Sequence, residues 1–190
     1  MRPFLHERLR RYEQLLALSS DALRAYSALD LGLADAVVRF LDDASAAYQA
    51  LGSADGENDM LTLKAQFVSA RGGVHPLTLE PVPRRRREME RSIALHVLVR
   101  AAERLRDDRA EVQRILTGAR QQLLPLLAYL AQKGALILDP GHPRTQPELE
   151  HVWHSLLDDP ETGPPARQIA LSLNPADILL LLADLLPPTG

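Results

Sequence analysis

Apolar side chains recur three and four residues apart along most of this chain, and the pattern breaks on glycine or proline. That spacing lays one stripe along a 3.6-residue helix, whereas a half-buried strand needs strict alternation. Leu5, Leu9, Tyr12, Leu15 and Leu16 form the first stripe, opposite Arg8, Arg10, Arg11 and Glu13. The stripe resumes at Leu23, Tyr26 and Leu29. Ser19-Ser20-Asp21 between them reads equally as the cap of a second helix or as residues crossed by the first. Val37, Phe40, Leu41, Ala44 and Tyr48 predict a helix from about Asp30 or Leu33 to a stop at Gly52. A polar loop is expected over 53–59, then a short helix capped by Asn58 or Asp59 and ended by Gly72-Gly73.

Pro76, Pro81 and Pro83 forbid helix over the next stretch, while Val74, Leu77, Leu79 and Val82 are spaced for extended backbone. The organisation expected is an N-terminal helical half over 1–73, an extended connector over 74–83 and a C-terminal helical half over 84–190, the two halves allowed to form one continuous domain. Residues 84–117 read as one or two helices, and Ile93 to Val99 is apolar nearly all round apart from His96, which predicts burial. Gly118 and Pro125 are expected to divide or kink the helical segment that ends at a stop on Gly134. Nine of the 14 prolines lie from Pro140 onward. Thr145-Gln146-Pro147-Glu148 has capping-box spacing and predicts a helix to Leu157. Residues 167–173 suit strand or helix, and Asn174-Pro175 predicts a final helix from Ala176 to Leu186.

Composition supports the same class. Leu and Ala make up about a third of the residues and aromatic residues 4%, which favours helix over sheet. The expected fold is predominantly α, a bundle of six to eight helices, with short strands allowed near 74–82, 135–138 and 167–173. With no cysteine, disulfides, thiolate metal sites and cysteine nucleophiles are all excluded. The longest strictly apolar run, Ile178 to Ala183, is far short of the roughly 20 residues that span a bilayer. Charges at Glu7, Arg8, Arg10 and Arg11 fall where a signal peptide needs an apolar segment. A cytoplasmic protein is expected. Basic residues are Arg apart from Lys64 and Lys133, a bias of GC-rich, bacterial-type coding.

Three groups of residues could carry function. Arg84, Arg85, Arg86, Arg87 and Arg91 open a segment, 84–120, with 11 basic and 6 acidic residues, followed by 121–190 with 3 basic and 8 acidic. Four arginines at a helix start oppose the macrodipole, so they suit an anionic partner or a solvated face. Arg87 to Arg91 and Arg100 to Arg104 are spaced to follow a phosphate backbone, but interleaved Glu and Asp, and the lack of interleaved aromatic residues, favour a solvated face or an acidic partner. The terminal helix has six leucines in the eight positions from 179 to 186 and must be enclosed on most sides. Its face of Leu179, Leu182 and Leu186 either completes this chain's core or docks on a partner or second subunit. Glu148, His151 and His154 sit at spacings that could present one metal with ligands, although a solvated face is the stronger reading. No cofactor is called for, since no phosphate-binding glycine loop, nucleophile elbow or calcium loop occurs. The leading expectation is a non-catalytic interaction module, an adaptor or assembly subunit. A nucleic-acid-binding protein using helix 84–120 is the alternative, and a metal-dependent enzyme the third.

Overall fold

A computed structural model describes residues 4–76, 78, 80, 86–136 and 144–186. Seven helices hold 83% of these and no strand is present among them, so helix packing alone builds the core. They are α1 (Leu5–Ser27), α2 (Leu33–Ala50), α3 (Ala54–Arg71), α4 (Arg86–Gln132), α5 (Gln146–Asp158), α6 (Gly163–Ser172) and α7 (Pro175–Leu185). Two compact units result. One comprises Leu9–Ala110, the other Met1–Arg8 with Glu111–Gly190, so the boundary falls inside α4 and the connector region belongs wholly to the first.

Two expectations change and two open alternatives are decided. Ser19-Ser20-Asp21 is crossed by α1 without a break: Ser19 and Ser20 turn their hydroxyls back to the Leu16 carbonyl at 2.8 and 3.0 Å. That bond satisfies the hydroxyl without uncapping the helix. The loop expected at 53–59 is already helix, because Ser53 occupies the N-cap position and Asp55 and Glu57 lie in the first turn, where the macrodipole favours them. Gly118 and Pro125 do not divide α4, which runs through both for 47 residues. The segment 167–173 is helical through Ser172, in α6. Of the two other allowed strands, residues 77, 79 and 81–83 of the first and 137–138 of the second lie outside the described residues. His75 donates its backbone N–H to the Glu80 carbonyl at 2.9 Å.

Four helices end in the same way. The chain passes through a left-handed residue and two backbone bonds reach back into the last turn, as Gly52 N–H to the Gln49 carbonyl and Ser53 N–H to the Tyr48 carbonyl do after α2. This closure satisfies orphan carbonyls but needs positive φ. Glycine supplies it at Gly52, Gly73 and Gly134, but after α1 the residue is Leu29, at φ 58°. A side chain there costs about 1–2 kcal/mol.

Within the first unit, α2 packs along α3 and both turn buried side chains inward: Val37, Phe40, Leu41 and Tyr48 from α2, Met60 and Phe67 from α3. Contact is close enough that a Cβ on Gly56 would lie 2.3 Å from the Tyr48 ring. The central stretch of α4 contributes Val97, Leu98 and Leu105, all fully buried, but Leu95 and Val99 of the run expected to be enclosed nearly all round are exposed, so α4 buries one face there rather than its whole circumference. In the second unit α5 contacts α6 and α7, and Leu156, Ile169 and Leu182 are buried there.

Candidate interaction surfaces

The arginine segment divides by role. Arg84 and Arg85 lie outside the described residues, as does the Arg86 side chain; Arg86 opens α4 and Arg87 is exposed. Arg91 has a partner of its own. Its guanidinium donates to the Tyr26 carbonyl at 3.2 Å and stacks 4.9 Å above the Tyr26 ring, placing a cation at the negative end of α1. Further along α4, Arg100 pairs with Glu103 at 3.2 Å and Arg109 with Glu13 at 3.0 Å.

Arg104 is the most constrained. Its Nε donates to Asp108 at 3.0 Å, and a terminal nitrogen lies 3.2 Å from Asp59 of α3. Asp108 also accepts the Tyr48 hydroxyl at 2.6 Å, so one chain of polar groups ties α2, α3 and α4 together. Burial, then the Asp108 carboxylate, drives the Tyr48 phenol far above its ordinary range. The same carboxylate raises the Arg104 guanidinium. Tyr48 is therefore a neutral donor and Arg104 a fixed cation at all physiological pH.

This network borders a groove of about 570 Å³ in the first unit, lined by Asp59, Thr62 and Leu63 of α3 and Arg100, Glu103, Arg104, Arg106 and Asp107 of α4. Three guanidinium groups and three carboxylates line it together. Arg106 is exposed and has no acidic partner among the described residues. Helical spacing put Arg100, Glu103, Arg104 and Asp107 on one side of α4. Only the tertiary structure sets Asp59 and Thr62 across from them.

The terminal helix packs most of its apolar surface within its own unit. Ile178, Leu181 and Leu182 are buried in their own unit, Leu179 and Leu186 are half-buried, and Leu180 alone among them is exposed. Of the face formed by Leu179, Leu182 and Leu186, the middle member is therefore already committed to the core. Asp177 is fully buried as well: it accepts the backbone N–H groups of Leu5 at 2.8 Å and His6 at 3.0 Å, and His6 Nδ1 at 2.6 Å. One acidic residue on the apolar face of α7 was the sequence signal for this contact.

Glu148, His151 and His154 share α5 but do not converge. The Glu148 carboxylate accepts the Thr145 N–H at 2.6 Å and hydroxyl at 2.9 Å, completing the predicted capping box. His154 Nδ1 lies 2.6 Å from the Glu150 carbonyl, and His151 faces solvent. Among the described residues, no three His, Cys, Asp or Glu side chains are grouped to hold a metal, and no helix is long and apolar enough to cross a membrane. Comparison of the chain with protein-family models, curated proteins and solved structures gives no match.

Proposed function

We propose that this chain is a non-catalytic protein-interaction module, an adaptor or assembly subunit, that engages a protein partner through a charge-complementary helical surface. The observation that carries this reading is the α3–α4 groove, which Arg100, Arg104 and Arg106 line together with Asp59, Glu103 and Asp107. A surface of both signs selects a polypeptide segment of complementary pattern and steers its approach, whereas a phosphate backbone would be repelled by the three carboxylates. Asp108, itself fixed by the part-buried Tyr48 hydroxyl, holds Arg104 in place before binding, so less side-chain entropy is lost on association. Its site of action is the bacterial cytoplasm, where a cysteine-free helical protein is at home.

Capture from host lysate with the wild-type chain and with an Arg100→Glu, Arg106→Glu double variant tests the proposal. A protein retained by the wild type, lost from the variant and released as salt is raised supports it. Retention indifferent to the two substitutions, or recovery of nucleic acid instead, overturns it.

A further inference from the structure

The turn between α1 and α2 departs from its three counterparts in two respects. Leu29 holds the left-handed position that glycine takes elsewhere, with 65% of its surface exposed, and Leu31, two residues on, is 102% exposed. A chain that bears backbone strain to present two leucines to water places them there for something other than its own core. Asp30 between them has its carboxylate 2.8 Å from the Gly32 N–H and no cationic partner among the described residues.

The same pair of helices carries a matching hollow. Between α1 and α2 lies a hollow of about 220 Å³ lined by the apolar Leu18, Ala22, Ala36 and Phe40, with Leu18 41% exposed, and by Arg39 and the carboxylates Asp21 and Asp43. Arg39 has no acidic partner among the described residues. Ala22 is five residues before the end of α1 and Ala36 three after the start of α2, so the hollow begins about 5–8 Å from the turn.

From this the geometry points to a second copy of the chain as a partner: two α1–α2 pairs related by a two-fold axis, each placing Leu29 and Leu31 in the other's hollow. Knob, hole, unpaired anion and unpaired cation all belong to one helix pair, and a surface that carries both halves of its own complement is what an isologous interface requires. Asp30 of one copy then meets Arg39 of the other, desolvating neither without a counter-charge. This deepens the interaction-module reading, on which it rests, by naming one partner.

Sedimentation velocity on the full chain across a concentration series tests it. The wild type is expected to form a species of twice the 21.0 kDa chain mass. Leu31→Asp is expected to remain monomeric with unchanged helical circular dichroism. Leu29→Gly should raise the unfolding midpoint, by relieving the strain, while weakening association. Arg39→Glu should weaken association about tenfold, and adding Asp30→Arg in the same chain should restore it. A monomeric wild type, a dimer indifferent to Leu31→Asp, or no rescue by the double exchange overturns the proposal. A monomer that still loses a captured protein through Arg100→Glu and Arg106→Glu sinks the self-pairing alone, whereas a Leu31-dependent dimer with indifferent capture sinks the groove alone.

Discussion

Asp177 caps a helix that begins 172 residues earlier in the chain: its carboxylate accepts the Leu5 N–H at 2.8 Å, while the aspartate itself sits in the first turn of α7. One buried anion thus meets the positive ends of two helices, and the His6 ring adds a third bond at 2.6 Å. Every bond an ionised carboxylate needs in order to be buried comes from α1, so α7 fixes where α1 starts.

Replacing Asp177 by Ala removes that anion and leaves one buried and one part-buried N–H group unmatched. The variant is expected to lose about 2–4 kcal/mol of stability, from a lost cap and lost charge-assisted bonds together. Urea unfolding followed by circular dichroism measures it. His6→Ala keeps both backbone bonds, so its loss should be smaller; equal losses would show that the imidazole, not the cap, is what matters.

Gly56 and Gly118 both lie inside helices, so intrinsic propensity predicts that Ala stabilises each by up to about 1 kcal/mol. The structure separates them. A Cβ at Gly56 would sit 2.3 Å from the fully buried Tyr48 ring, which has nowhere to retreat, while one at Gly118 meets nothing within 4 Å. Gly56→Ala should therefore destabilise by about 1–3 kcal/mol and Gly118→Ala should stabilise. Thermal unfolding of the two single variants checks the opposite signs.

Tyr48, one of four tyrosines, has its phenol pushed well above its ordinary range by burial and Asp108. A raised folded-state value means that its contribution is complete below the unfolded value near 10 and is lost as pH rises past it. In an alkaline absorbance titration one tyrosine should ionise only together with loss of helix. Tyr48→Phe should remove that coupling.

Asp159 behaves in the opposite sense. The Lys133 ammonium bonds its carboxylate and holds it below the usual range, helped by the backbone N–H groups of Glu161 at 2.9 Å and Thr162 at 3.2 Å. With the folded value depressed, this stabilisation is present above the unfolded value near 3.9 and is lost as pH falls through the folded one. The melting temperature of Asp159→Asn should fall less than that of the wild type between pH 5 and pH 2. Parallel pH profiles would exclude the pair from acid unfolding.

Helix-spaced apolar residues made the all-helical class and most buried positions legible in the sequence. Val97 and Leu98 are in the core, while Leu95 and Val99 of the same apolar run face water, and Thr145 with Glu148 forms the expected cap. What stayed hidden was long-range pairing of polar groups. Nothing local joins Tyr48 to Asp108, or His6 to Asp177, because each bond depends on which helices become neighbours. The exposed leucines were masked for the opposite reason: Leu29 continues the stripe of α1 in the sequence, yet it lies past the last helical turn and points to water.

Pro125 shows how tertiary packing overrides a local stop. It lacks the N–H that would bond the Gln121 carbonyl, and its ring crowds that turn, a combination costing about 3 kcal/mol inside a helix. The helix nevertheless continues to Gln132 because Leu123, Leu127 and Leu130 are buried on either side of the interruption and outweigh the lost bond. Pro125 itself is exposed, so no core contact depends on its ring. Pro125→Ala is therefore expected to restore the bond and raise stability by about 1–3 kcal/mol. Urea unfolding of the variant measures it. A decrease would mean that the distorted turn, rather than a straight helix, is what the leucines require.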